Sequence, residues 1–356
     1  MTIAYVGTYT EVDRGGRGEG IAVFAVDAGA GALRHIQTLS GVPNPHFLAL
    51  HPNRRFLYST NGGDASAVTA YAIDRTDGTL SQISRQESPG PGPTHLAVDP
   101  TGRCVVVANY AGGSVAVYRL TDDGTLSPHS DFVLHAGPLG PNPRRQDHAH
   151  AHMAGIHPTG RFVLVCDLGL DRTFVYRLDA VRGTVRLVDQ PGGRSHPGAG
   201  PRHLTFHPNG QVVYVINELD ATVTVFEFND ATGELTSRQT LSALPANFLG
   251  ENIAAEVVVT RDGRFLYASN RGHDSLAIFS IDPSNGHLAA IGHASTGGRA
   301  PRHFDIEPSG QVLFAANQDS DSIVAFRVDR GTGGLTSLGH AATIGTPSCI
   351  VFAAPT

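Results

Sequence analysis

The chain has 356 residues, is 40% hydrophobic and 16% charged, and carries a formal net charge of -6. That length and apolar content exclude a disordered chain and supply a large core. The acidic balance, with no Lys/Arg runs interleaved with aromatics, argues against a nucleic-acid partner.

Forty-two Gly and 22 Pro, without a collagen-like period, point to many short elements joined by turns. The opening MTIAYVGTYT has no basic leader followed by an apolar core, and no window approaches the ~18 uninterrupted apolar residues of a membrane span. The reading is a soluble, unexported chain with no membrane partner. IAYVGTYT (3–10), GIAVFAV (20–26) and ALRHIQTL (32–39) read as three successive strands. The intervening GGRGEG (15–20) has glycine spacing reminiscent of nucleotide loops, but it joins two strands and offers no helix terminus to a phosphate.

One phrase then recurs: PHFLALHPNRRFLYSTN (45–61), PTHLAVDPTGRCVVVAN (93–109), AHMAGIHPTGRFVLVCD (151–167), PRHLTFHPNGQVVYVIN (201–217), AAEVVVTRDGRFLYASN (254–270) and PRHFDIEPSGQVLFAAN (301–317). Each reads as strand, four-residue turn, strand. A third strand follows, such as SVAVYRL or TVTVFEF, and then a turn, usually containing Gly, that leads into a fourth. With Pro52, Pro100, Pro158, Pro208, Arg261 and Pro308 as equivalent positions, the spacings are 48, 58, 50, 53 and 47 residues. Four antiparallel strands per such unit is the signature of a β-propeller blade. The C-terminal PSCIVF (347–352) matches a first strand and the N-terminal segments match a second, third and fourth. The prediction is an all-β, seven-bladed β-propeller spanning 1–356 as one domain, its last blade closed by N- and C-terminal strands.

In a propeller, the start of each first strand and the end of each second strand ring one mouth of the central channel. Six residues before the markers stand His46, Thr94, His152, Arg202, Ala255 and Arg302; ten after them stand Gly62, Tyr110, Leu168, Glu218, Arg271 and Gln318. A blade needs no histidine, glutamate or arginine at these positions, so His152, Arg202, Glu218, Arg271 and Arg302 are functional candidates. The strand-end residues Asn217, Asn270, Asn317 and Asp167 read mainly as architectural caps, but they ring the same mouth. With Gln318, His150 and Arg302 they complete the expected substrate-contact set. Insertions at 134–150 and 243–254 would overhang this face, where loops on a repeat scaffold carry function.

QDHAHAHMAGIHP (146–158) places His148, His150 and His152 on one face if the stretch is extended. Only His152 falls at a mouth position, and a catalytic zinc usually recruits a ligand from elsewhere, so no metal or other cofactor is assigned. His95, His203 and His303 recur in the repeat, which suggests packing or hydrogen bonding on the other face of the strand. Cys104, Cys166 and Cys349 lie in apolar strand runs, as buried reduced thiols do, which favours the cytoplasm. No Gly-x-Ser-x-Gly elbow occurs.

The repeated phrase, GAGPRHLTFHPNG followed by YVINEL (198–219), and HAH before GIHPTGRF resemble the seven-bladed lactonase family over essentially the whole chain. That family includes propeller-type 6-phosphogluconolactonases and the fungal carboxy-cis,cis-muconate cyclase. The resemblance implies a mouth site of one His, two Arg and one Glu, which here would be His152, Arg202, Glu218 and Arg271 as catalytic residues. Where many relatives read His-Pro-His-Ser, this chain reads His150-Ala151-His152-Met153.

A small anionic sugar-acid lactone, 6-phosphogluconolactone or a related aldonolactone, suits an arginine cluster in an acidic protein. Arg202 and Arg302 would grip the anion. His152 or Glu218 would deprotonate a water, and Arg271 or Arg202 would meet the developing oxyanion. Two other functions fit the same sequence: a lactonizing cycloisomerase of the carboxy-muconate type, and a non-enzymatic binding propeller. The sequence leaves oligomeric state open.

Overall fold

The computed structural model describes residues 1–63, 66–188 and 192–354, and arranges their strands in seven four-stranded antiparallel sheets. Numbered in chain order, blades 1 to 6 begin with the strands Pro45–Leu50, Pro93–Val98, Ala151–Ile156, Pro201–Phe206, Ile253–Val259 and Pro301–Ile306. Blade 7 draws on both ends of the chain. Its inner strand Pro347–Ala353 pairs with Ile3–Thr8, from Ile3 opposite Ala353 to Thr8 opposite Pro347, and Gly20–Asp27 and Ala32–Ser40 follow outward. The expected seven-bladed propeller with a composite closing blade is therefore the observed fold.

The second strand of each blade explains the continuous apolar runs in the sequence. Phe56–Asn61, Cys104–Asn109, Phe162–Asp167, Val212–Asn217 and Val312–Asn317 are buried at every residue, because a neighbouring blade covers each face. The core is accordingly a ring of clusters between blades; one joins Tyr214 and Ile216 of blade 4 to Leu266 and Ala268 of blade 5. Burying such a side chain contributes roughly 1.5–3 kcal/mol. Outer strands such as Leu80–Glu87 face water and are mostly polar.

Repeated polar residues staple adjacent blades at the rim opposite the mouth. His51, His157 and His207, one residue before the marker position, place Nε2 at 3.0, 2.8 and 3.1 Å from the carbonyls of Gly102, Gly210 and Gly263 in the next blade's turn. Those glycines hold φ near +72°, +71° and +72°, a left-handed conformation that strains a residue bearing Cβ. In blade 2, Asp99 replaces the histidine and turns its carboxylate onto its own turn, accepting from the amides of Thr101 and Cys104 at 2.8 and 2.7 Å. All three cysteines are free and buried. Among the described residues, no helix is long and apolar enough to cross a membrane.

Candidate active site at the channel mouth

A backbone irregularity builds the site. In blade 1, Pro45 pairs with Asn61 and Phe47 with Thr60, which leaves His46 outside the ladder. The same one-residue skip occurs at Thr94, His152, Arg202 and Arg302 in blades 2, 3, 4 and 6. In blade 5 the skip widens to two residues, Ala255 and Glu256. A bulge breaks the pairing and re-aims a side chain. Repeated round the ring, it turns the variable residue of each first strand toward the axis.

At the mouth lies a cavity of about 460 Å³, within the size range of small-molecule sites. His46, Thr94, His152, Glu218, Arg271, Arg302 and Gln318 line it, with Tyr9, Tyr110 and Arg145. Glu218 is the hub. Its Oε2 accepts from Arg202 Nε at 2.9 Å and from an Arg271 terminal nitrogen at 3.0 Å, while Oε1 accepts from Arg145. His152 Nε2 stands 4.0 Å from Oε2. Arg202 and Arg271 are fixed further by the carbonyls of Ala255 and Ala254, at 2.6 and 2.9 Å.

The charges do not balance. Burial alone would raise the Glu218 carboxyl, but Arg271, Arg202 and Arg145 overcome it and hold the group at about 2, fully ionised at neutral pH. Arg302, also on the cavity wall, lies over the Tyr9 ring at 5.3 Å, and no carboxylate among the described residues pairs with it. Three guanidinium groups thus share one carboxylate, and the fourth stands outside that network. Burial pushes His152 well below the ordinary imidazole range, and Arg202, His203, Arg302 and Arg271 add to the effect. The imidazole is therefore held in its neutral form.

The structure separates the residues expected at the mouth. Arg202 is buried behind Glu218 rather than on the cavity wall, and its Nε donates to that carboxylate. Asn217, Asn270, Asn317 and Asp167 are fully buried and committed to the scaffold. Asn217 donates to Thr222 and Thr224, Asn270 to the carbonyl of Ala243 and Asn317 to that of Thr296. Asp167 accepts from the His150 and Leu170 amides at 2.8 and 3.1 Å and faces His135 Nδ1 at 2.6 Å. Gln318 does reach the cavity.

The three alternating histidines do not share a face. The strand begins at Ala151, and His148 and His150 belong to the preceding loop, where His150 stacks on Tyr110 at 4.4 Å, outside the cavity lining. Of the recurring histidines, His95 makes ring contacts with Phe47 and His203, while His203 and His303 also make polar contacts. His203 Nδ1 and His303 Nε2 lie 2.9 and 3.2 Å from Glu256 Oε2, and the His203 ring sits 5.0 Å from that of His152.

Arg145, Tyr9 and Tyr110 were not singled out by sequence as functional. Arg145 sits in the insertion before blade 3, where the repeat assigns no equivalent position. The usable signal was the insertion itself, since an arginine one or two turns from the mouth can fold over it.

The family described as "Lactonase, 7-bladed beta-propeller" matches residues 3–352. The 6-phosphogluconolactonase of Bacillus subtilis is 38% identical over 309 residues, covering 86% of this chain and 85% of that protein. A crystal structure of a Lactobacillus plantarum protein superposes with a TM-score of 0.91 at 32% identity, over 99% of this chain and 100% of that one. The periplasmic gluconolactonase of Pseudomonas aeruginosa superposes with a TM-score of 0.89 at 34% identity, over 100% and 99% of the two chains. With the same blades and a match over nearly its whole length, the chain belongs to the seven-bladed β-propeller lactonase family.

Proposed function

We propose that this protein hydrolyses an anionic sugar-acid lactone, with 6-phosphogluconolactone or a related aldonolactone as substrate. The supporting observation is the charge asymmetry of the cavity: Glu218 is already shared by Arg145, Arg202 and Arg271, while no carboxylate among the described residues pairs with Arg302. A ligand bearing phosphate or carboxylate supplies the missing charge and accepts two parallel hydrogen bonds from Arg302. The named activities of the Bacillus and Pseudomonas relatives agree with a lactone substrate.

In this reading His152 takes a proton from a water as that water attacks the lactone carbonyl. Glu218, 4.0 Å away, stabilises the imidazolium that forms. Arg271, already on the cavity wall, donates to the oxyanion of the tetrahedral intermediate. Collapse expels the ring oxygen, which receives the proton from His152, and the acid product leaves. No covalent nucleophile is required, because the lactone is itself activated toward water. The buried thiols suit a reducing compartment such as the cytoplasm.

The test is proton release by wild type and His152→Gln supplied with 6-phosphogluconolactone, gluconolactone and carboxymuconates, each corrected for spontaneous hydrolysis. The reading expects acceleration with the lactones, strongest with the phosphorylated one, and a fall of roughly 10²- to 10⁴-fold in the folded variant. Turnover of a muconate alone would instead assign the cavity to cycloisomerisation, and turnover of neither would make it a binding site.

A further inference from the structure

The segment that supplies Arg145 ends in three side chains for which the cavity has no use. Asp147 Oδ1 lies 3.0 Å from His150 Nε2, and its Oδ2 lies 3.1 Å from His148 Nδ1. One ligand atom from each residue can be chosen so that all lie within 4.8 Å of one another. Both imidazoles are anchored at the far nitrogen by backbone: His148 Nε2 is 3.1 Å from the Ala111 carbonyl, and His150 Nδ1 is 3.1 Å from that of Tyr110.

A carbonyl oxygen only accepts, so each far nitrogen carries the proton. In a neutral ring the near nitrogen is then a bare lone pair. Two lone pairs and a carboxylate therefore face one another with no proton between them. The arrangement is repulsive unless a cation occupies the centre or both rings take a second proton. Anchoring of the outer N–H on a backbone carbonyl is how metal-ligating histidines fix their tautomer and aim their lone pair. Nitrogen and oxygen ligands about 2.0–2.2 Å from a tetrahedral zinc stand roughly 3.3 Å apart, and the two imidazole–carboxylate separations, each to a different oxygen, are 3.0 and 3.1 Å. Asp147 and His148 are half-exposed, so water can complete the coordination.

We propose that Asp147, His148 and His150 bind a divalent transition metal of the zinc class. Two imidazoles and one carboxylate match the preference of such ions. The ion would clamp the segment carrying Arg145 onto Tyr110 and Ala111 after the second strand of blade 2, and would leave the cavity itself free of metal. This inference stands on the geometry of the cluster and is independent of the substrate.

The experiment is calorimetric titration of zinc chloride into untagged, chelator-stripped full-length protein near neutral pH. Asp147→Asn and His148→Ala are run in parallel, and circular dichroism confirms that they fold. The expected result is one equivalent bound by wild type with a rise in Tm, and affinity weakened by at least roughly 100-fold in both variants. Absence of zinc binding, or binding unchanged by both substitutions, would overturn the proposal and leave a doubly protonated histidine pair on Asp147.

Discussion

The two rims of the ring are made from the same repeat and use it in opposite ways. At the far rim the repeated residues act: His51, His157 and His207 each reach the turn of the next blade, with nearly the same distance and partner each time. At the mouth the repeat supplies only a bulge, and the residue placed on it differs from blade to blade, as His46, Thr94, His152, Arg202 and Arg302 do. A scaffold contact can be met by the same residue at several blade interfaces. A site for one asymmetric molecule requires that the blades differ.

The sharpest way to break that comparison is at Glu218. Glu218→Gln leaves Arg145, Arg202 and Arg271 without a counter-charge in a buried setting. It is expected to lower kcat by roughly 10²- to 10⁴-fold and to cost about 3–5 kcal/mol of stability. Chemical denaturation beside steady-state kinetics checks both, and a variant with unchanged kcat would remove the hub from the mechanism. Next comes Arg302→Gln, which deletes the unshared cation. We expect KM for a phosphorylated lactone to rise roughly 10- to 100-fold, with kcat little changed and a smaller effect on the unphosphorylated compound.

The pH dependence of the Glu218 network is a smaller effect. The Glu218 carboxyl is held at about 2 in the fold against an ordinary value of 4.5, so its stabilisation is fully present above the unfolded value and is lost as pH falls toward the folded one. The Tm gap between wild type and Glu218→Gln should therefore be constant above about pH 5 and should narrow from about 4.5 downward. A gap that widens with acid would reverse the assigned sign. The smallest effect belongs to the far rim: His157→Ala removes one staple and should cost about 1–2 kcal/mol while leaving kcat/KM unchanged. A parallel fall in kcat/KM would show that the two rims are not separable.

The fold was legible in the sequence because it is periodic. A strand buried on both faces is apolar along most of its length, as CVVVAN and VVYVIN are up to their terminal Asn, and a reversal between such strands must carry turn residues; six copies made both visible. The site was legible where the repeat was broken, which is how His152, Glu218, Arg271 and Arg302 stood out. Arg145 stayed hidden because an insertion has no register against the repeat. The strand-end Asn residues read both as architectural caps and as rim contacts, because a polar side chain at a rim has two possible faces, and spacing does not choose between solvent and backbone.

The sequence by itself determined the number of blades, their closure by the two termini and the ring of positions from which a site could be drawn. All three follow from local pattern, and local pattern is written along the chain. The tertiary structure alone decided which charges share a carboxylate, that Arg202 lies behind Glu218, that His203 and His303 meet at Glu256, and that His148 and His150 leave the face of His152. Those outcomes depend on distances between side chains brought together from different blades across a common axis. Such distances are fixed only when the ring closes and water is excluded from its centre.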